Sequence, residues 1–357
     1  MKNIKTNKNL LLYIIFFSAI IGFCFCCFSC SKQASQQKAH KYSIVATNFV
    51  CYDFARAALG DGAGARHRAA LGDSRNRTAS LKLLIKPGTE VHSFDPTPAD
   101  IIAIGSADLF IYIGGESDEW VESVLLDSIG KNKNAPACLK LIDFVQTLDE
   151  PEALESEENE RTAQNIAANS GKTENDNETE AESDEHIWTS PENALIMLEK
   201  ITGSILQNCP DLDRDSVLKN SADYARQIEQ AAAAIGQSVA AAEQKYIVMA
   251  DRFPFAYFAN YYGLNYMAAF AGCSTAVEAS SATIASLIET VKQKQLPAVF
   301  YIELTNHKIA DIVAESAKVP AYMLYSLQNI SKDDFEAGET YVSLMNKNAE
   351  TLKKGLR

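Results

Sequence analysis

The stretch Asp211–Glu243, DLDRDSVLKNSADYARQIEQAAAAIGQSVAAAE, decides the architecture of this chain. It contains no proline, its single glycine is Gly236, and alanine is its most frequent residue. Because this composition favours an uninterrupted helix, the sequence predicts one helix much longer than the average of about 11–12 residues in globular proteins. A helix of that length can join two separate parts of a protein.

Apolar strands alternate with helices on both sides of this stretch. Before it, strands are predicted at Tyr42–Ala46, Leu81–Ile85 and Leu109–Ile113, and a helix capped by Thr97 is predicted at Pro98–Gly105. After it, the same alternation recurs from Tyr246 to Leu352. Strands that are apolar on both faces and alternate with helices are typical of parallel sheets covered by helices. The predicted fold is therefore α/β, with two lobes of mainly parallel sheet joined by one long rigid helix.

This reading divides the chain into five segments. They are a lipoprotein signal peptide (1–29), a tether (30–41), an N-terminal α/β lobe (42–210), the linking helix (211–244) and a C-terminal α/β lobe (245–357). Inside the first lobe, residues 149–185 contain fourteen acidic residues, with Arg161 and Lys172 as the only basic ones. Such a polar, acidic segment buries too little apolar surface to order itself, so a disordered loop is predicted there.

The N-terminus has the layout of a secretory signal. Three lysines precede an apolar run from Leu10 to Phe28, and small Ser29 directly before Cys30 favours cleavage and lipid attachment at Cys30. An uncleaved membrane anchor and simple secretion are the alternatives. All three place the rest of the chain outside the cytoplasm, and the first predicts a protein anchored to the cell membrane by lipid.

Charge and histidine placement narrow the classes of ligand. The formal net charge is −13, and the sequence indicates no basic face that would neutralise phosphates, so nucleic acid is not an expected partner. His92 follows the predicted strand at 81–85, where ligands of α/β sheets bind, and His186 follows Asp184 and Glu185. Imidazole nitrogens with carboxylate oxygens suit zinc, manganese or iron, although each histidine could instead be an ordinary surface residue.

Four segments carry a resemblance to a known family. They are PGTEVHSFDPTPAD (87–100), DLFIYIGG (108–115), DEHIWTSPENA (184–194) and GCSTAVEAS (272–280). In this order they resemble segments of the zinc- and manganese-binding solute-binding lipoproteins of ABC transporters, the zinc-uptake and TroA-like group (cluster A-I). The resemblance extends over nearly all of the chain after the signal peptide.

The resemblance implies a function and a set of ligands. The protein would be a monomeric, non-enzymatic lipoprotein that captures a divalent transition metal and delivers it to the permease of an ABC importer. Zinc is the first candidate for the metal and manganese the second. His92 and His186 match the first two metal ligands of the family, and Asp251 is the residue near the third position that could bind. No carboxylate stands at 325–328, where the family has its fourth ligand, so Glu303 is an additional candidate.

Several alternatives stay open at this point. Cys273 is a further candidate ligand, and Glu278 is expected to cap the helix near Ser280 rather than to bind metal. The missing carboxylate also fits a surface adhesin or interaction lipoprotein with a degenerate metal site. A metallohydrolase is less favoured because the sequence contains no HExxH motif.

Overall fold

A computed structural model of the protein describes residues 42–60, 79–124, 135–151, 183–274 and 278–357. The predicted signal peptide, the lipidation site Cys30, the tether and the middle of the acidic loop lie outside the described residues. Among the helices in the described ranges, none combines the length and the apolar character that a membrane span requires.

The first lobe is built on a parallel sheet of four strands in the order β2-β1-β3-β4. The strands are β1 (Tyr42–Ala46), β2 (Ala79–Leu83), β3 (Leu109–Tyr112) and β4 (Ala137–Lys140). Its helices are α1 (Phe49–Leu59), α2 (Pro98–Gly105), α3 (Glu119–Val124) and α4 (Pro191–Asn208). Every residue of β3 is buried, as a continuous apolar run between two neighbouring strands requires.

The second lobe repeats this plan with the parallel order β6-β5-β7-β8. The strands are β5 (Tyr246–Arg252), β6 (Asn265–Phe270), β7 (Val299–Ile302) and β8 (Ala321–Leu324). The helices are α6 (Ala256–Tyr262), α7 (Ser281–Gln293), α8 (Lys308–Ala317), α9 (Lys332–Ala337) and α10 (Tyr341–Gly355).

A single helix, α5 (Arg214–Ala240, 27 residues), connects the lobes. It packs against α1 and α4 of the first lobe and against α10 of the second. Hydrogen bonds join it to both sides: Asn220 Nδ2 donates to the Ala58 carbonyl (3.4 Å), and Ser238 Oγ donates to the Ala349 carbonyl (3.1 Å). The predicted α/β fold of two parallel-sheet lobes joined by a long helix is confirmed.

A buried carboxylate, Asp53 on α1, ties the linking helix to both lobes. It accepts hydrogen bonds from the Arg56 guanidinium (3.0 Å from Nε and 2.6 Å from Nη2), from the Tyr224 hydroxyl of α5 and from the Tyr341 amide at the start of α10 (3.0 Å). Asp53 is fully buried, and Arg56 is 3% exposed. Because a buried charge is costly unless it is paired and hydrogen-bonded, these contacts fix the relative positions of three helices.

The junction between the lobes is packed around Trp188, which is fully buried. Its indole Nε1 donates to the Ser326 carbonyl of the second lobe (2.8 Å), and its own carbonyl accepts from the Tyr341 hydroxyl (2.8 Å). Trp188 therefore closes one apolar core that continues from one lobe into the other.

Three elements differ from the sequence-based expectation. The strand β4 and the helices α3 and α9 were not predicted, because each has only four to six residues and none shows a clear apolar period. The acidic loop was expected to reach 185, but Asp149 and Ser183 form an antiparallel bridge, and Asp184 and Glu185 are buried. Contacts with the rest of the fold, rather than local composition, order these residues.

Candidate metal centre

Four side chains with metal-binding atoms meet where the two lobes face each other. The ligand atoms of His92, Glu185, His186 and Cys273 lie within 4.8 Å of one another, and the two imidazole centroids are 5.7 Å apart. Bonds of 2.0–2.3 Å place the ligands of a tetrahedral zinc ion roughly 3.5 Å apart. Small side-chain movements would therefore bring these atoms around one ion.

His186 is fully buried and held in one orientation by Asp184. Its Nδ1 and its backbone amide both lie 2.7 Å from Asp184 Oδ1, and the Tyr257 hydroxyl of α6 donates to the Asp184 carbonyl (2.7 Å). Since a carboxylate accepts, Nδ1 carries the proton, and Nε2 keeps its lone pair. Nε2 has no hydrogen-bond partner among the described residues. A buried imidazole that is oriented by a carboxylate and has one free nitrogen is typical of a metal ligand.

His92 is oriented by a second chain of hydrogen bonds. The Ser117 hydroxyl donates to Glu185 Oε1 (2.5 Å) and lies 2.8 Å from His92 Nδ1. Because a hydroxyl has one proton to give, His92 Nδ1 must be the donor in the second bond, and Nε2 is left unprotonated. Burial is the main cause that lowers the pKa of His92 to about 4, and the charge of protonated His186 is the second. The His92 imidazole is therefore neutral at neutral pH.

His186 responds differently to protons. Burial acts to lower its pKa, but the charge of Asp184 and the hydrogen bond to it outweigh burial, and the pKa is raised. Since metal binding needs the neutral imidazole, His186 is the member of the pair at which protons compete more strongly with metal.

Glu185 supplies the carboxylate of the cluster. Oε1 lies 3.8 Å from His92 Nδ1 and accepts from Gln328 Nε2 (3.1 Å), and Oε2 accepts from the Ser117 amide (2.7 Å). Gln328 stands in the stretch 325–328 that has no carboxylate in the sequence. Gln328 does not replace the missing carboxylate as a ligand; its amide group orients Glu185 of the first lobe. Sequence reasoning treated Glu185 as part of the loop, although its position next to His186 was the available signal.

The backbone at Gly115 leaves room for Glu185. Gly115 has φ +104, and a Cβ there would lie 2.6 Å from Glu185 Cβ. We expect Gly115→Ala to lower the free energy of unfolding by about 1–3 kcal/mol through backbone strain alone, with the clash adding to it. Zinc affinity should fall as well, because Glu185 is displaced.

Urea denaturation and zinc titration would measure both effects. Gly263→Ala is the matched control, since Gly263 also has positive φ (+64) but its Cβ would meet nothing within 4 Å. Equal losses of stability in the two variants, with unchanged zinc affinity, would contradict the assigned role of Gly115.

The structure does not bring the other two predicted ligands into this cluster. Asp251 Oδ2 accepts from the Thr305 hydroxyl (2.7 Å) and the Ile302 amide (3.4 Å), and its Oδ1 accepts from the Arg252 amide (2.8 Å). Glu303 is buried and accepts from the amides of Ser326 (2.7 Å) and Leu327 (3.1 Å). The oxygens of both carboxylates are engaged by hydrogen bonds within the second lobe, and neither residue belongs to the group that contains the two histidines.

The remaining candidates are also placed. Cys273 belongs to the cluster and is 6% exposed, and its backbone amide donates to Glu150 Oε1 (2.7 Å). Glu278 is exposed, and Ser280 rather than Glu278 caps helix α7. His307 begins α8, is half exposed and pairs with Asp311 (3.1 Å).

An acidic cavity of about 480 Å³ borders the cluster. Cys273 lies on its wall together with four glutamates: Glu116, Glu119, Glu122 and Glu150. The carboxylates make this side of the site attractive to cations and unattractive to anions.

The donor set fits a transition metal. Neutral imidazole, carboxylate and thiolate are the groups that bind zinc in proteins, and the cluster can supply all three. The fully buried Nε2 of His186, which has no partner in the described part of the chain, is otherwise costly, and an ion would satisfy it.

Comparisons with known proteins give consistent results. The family model described as "ZnuA: Zinc-uptake complex component A periplasmic" matches residues 44–355. The zinc-binding lipoprotein AdcA of Streptococcus pneumoniae is 29% identical over 332 residues, covering 91% of this chain and 58% of AdcA. This chain therefore spans less than two thirds of that relative.

Two further comparisons cover nearly the whole of the matched protein. The high-affinity zinc uptake system protein ZnuA of Bacillus subtilis is 27% identical over 342 residues, which is 94% of this chain and 96% of that protein. The crystal structure of the Zn(II)-bound ZnuA-like domain of S. pneumoniae AdcA superposes with a TM-score of 0.66 and 27% identity, covering 88% of this chain and 99% of the domain.

Proposed function

Because this chain belongs to the family of the zinc-uptake complex component A, we propose that it captures a divalent transition metal outside the cytoplasm and delivers it to an ABC importer. One observation carries the proposal: His186 belongs to a group with His92 and a carboxylate, and its fully buried Nε2 has no partner among the described residues. A buried site with donor atoms that are free among the described residues is suited to reversible loading.

The metal is held by His92, His186 and Glu185. The two neutral imidazoles supply nitrogen, and the carboxylate offsets one unit of the charge of the ion. Zinc is the first candidate and manganese the second, as imidazole and carboxylate accept both. Asp251 and Glu303 are left to their structural hydrogen bonds in this proposal.

The cellular setting follows from the signal-like N-terminus. Processing before Cys30 and lipid attachment to its sulfur would hold the monomeric protein at the outer face of the cell membrane, close to the permease that accepts the metal. Loaded protein would dock on that permease, and no reaction beyond binding and release is required.

Metal analysis tests the proposal directly. We expect purified protein to contain about one zinc ion per chain, as a single mononuclear site requires. The variant His92→Ala/His186→Ala should contain none, because only Glu185 and Cys273 of the cluster remain. Inductively coupled plasma mass spectrometry of dialysed samples would give the ratio.

The control is His307→Ala, which removes an exposed histidine outside the cluster and should leave the zinc content unchanged. Equal zinc content in the double variant and the wild-type protein would remove the support for metal capture at this site.

A further inference from the structure

We propose that the Cys273 thiolate is the metal ligand contributed by the second lobe, and that its sulfur makes the site selective for zinc over manganese. This inference rests on the proposed function and gives it a definite donor set of two nitrogens, one oxygen and one sulfur. Cys273 takes the place for which the sequence suggested Asp251.

Cys273 is the one residue of the group that comes from the second lobe. His92, Glu185 and His186 all come from the chain before α5, whereas Cys273 follows β6. Its Sγ is among the four ligand atoms that lie within 4.8 Å of one another. With Cys273 as a ligand, the ion joins the two lobes; without it, every donor in this group comes from one side.

The environment of the Cys273 thiol differs from that of the other described cysteines. Of the four cysteines in the described residues, Cys51 and Cys209 lie in the apolar core, and Cys138 is exposed. Cys273 is buried but belongs to none of the apolar clusters of the described residues. It lies among imidazoles and carboxylates, which are not the usual neighbours of a structural cysteine.

The backbone at Gly272 and Cys273 fits closely against the site. Gly272 packs directly on His186, since a Cβ there would lie 3.0 Å from the imidazole Cε1. Glu150 accepts the Cys273 amide (2.7 Å) from the other side. The backbone is thus held beside the ring whose Nε2 has no partner among the described residues, and the Cys273 sulfur belongs to the same group of ligand residues as that ring.

The binding step balances without any redox partner. A metal–sulfur bond forms, the S–H bond breaks, and the proton passes to solvent, so thiolate coordination releases one proton per ion. Thiolate is a soft donor that favours zinc over manganese, whereas imidazole and carboxylate discriminate less. Sulfur is therefore the selectivity-determining atom of the site.

Cobalt(II) is the probe for the test, because a thiolate ligand gives it an intense charge-transfer band in the near ultraviolet that nitrogen and oxygen ligands do not give. We expect the full-length wild-type protein to show this band on loading and Cys273→Ser to lose it while still binding cobalt through the histidines. Cys138→Ser, which removes an exposed thiol, should keep the band. The cysteines of the N-terminal segment are present in all samples, so the difference reports Cys273.

Zinc and manganese titrations give the second readout. Zinc affinity of Cys273→Ser should fall by more than about tenfold, with little change in manganese affinity. Cobalt binding that depends on His92 and His186 but shows no such band, or a band of undiminished intensity in Cys273→Ser, would overturn this inference and leave the proposed function intact. Absence of any cobalt and zinc binding would overturn both. If Cys273→Ser did not fold, the wild-type protein and a His186→Ala variant would still test the inference. A charge-transfer band that is present in the wild-type protein and lost in His186→Ala would support thiolate coordination at this site, and absence of the band in the wild-type protein would contradict it.

Discussion

Replacing His186 with alanine is expected to weaken zinc binding by more than about 100-fold, because it removes a ligand outright, whereas losing a group that merely orients a ligand costs about 10–100-fold. His186 is the appropriate target because its Nε2 is fully buried and free among the described residues. Competition with a chromophoric zinc chelator would give the affinity, and circular dichroism would establish that the variant is folded.

The group behind His186 offers a graded version of the same experiment. Asp184→Asn keeps the size of the side chain but removes the charge that fixes the Nδ1–H form of the ring. We expect zinc affinity to fall by about 10–100-fold. Asp311→Asn is the matched control, since Asp311 makes the same kind of bond to His307 on the surface, away from the cluster. Wild-type affinity in both His186→Ala and Asp184→Asn would show that zinc binds elsewhere.

The second large effect concerns stability. Asp53→Ala is expected to lower the free energy of unfolding by about 3–5 kcal/mol, which is typical when one partner of a buried ion pair is removed. The substitution leaves the buried Arg56 guanidinium without this counter-ion and removes the acceptor of the Tyr224 hydroxyl and the Tyr341 amide. Urea denaturation followed by far-ultraviolet circular dichroism would measure the change.

Asp223→Ala on helix α5 is the control for that experiment. Asp223 also pairs with two basic side chains, Lys219 (2.7 Å) and Arg226 (2.5 Å), but both of these are exposed. Exposed pairs contribute little, because water and salt screen them. A similar decrease in the free energy of unfolding in the two variants would contradict this explanation, because the contribution of the Asp53 contacts would then not depend on their burial.

The fold could be predicted from the sequence because apolar runs and helix caps are local patterns that recur in both lobes. Strands β3 and β7 are apolar runs, Pro98–Gly105 begins after the predicted Thr97 cap, and α5 contains no proline. The missed elements β4, α3 and α9 are short and depend on neighbouring strands and helices. The lobe boundaries at 210 and 244 remain predictions, and α5 itself begins and ends within them.

The site was only partly predictable, and the reason lies in side-chain direction. His92 and His186 were placed by their motifs, and the structure brings their rings together. Asp251 was chosen because it ends a strand near the right position, but spacing along a strand does not reveal that Thr305 and two backbone amides engage its oxygens. Glu185 was absorbed into the acidic loop, because composition cannot show that Ser117 and Gln328 hold it in the site.

The contacts of α5 have a mechanical consequence. The 27-residue helix α5 is hydrogen-bonded to α1 near its first turns and to α10 near its last turns. Because both ends are held in this way, α5 does not act as a hinge between the lobes. Opening and closing by a wide clamshell movement would have to break the Asp53 contacts and the packing around Trp188. We therefore expect that the ion enters and leaves through local shifts of the loops that carry His92 and Cys273, while the frame behind them stays still.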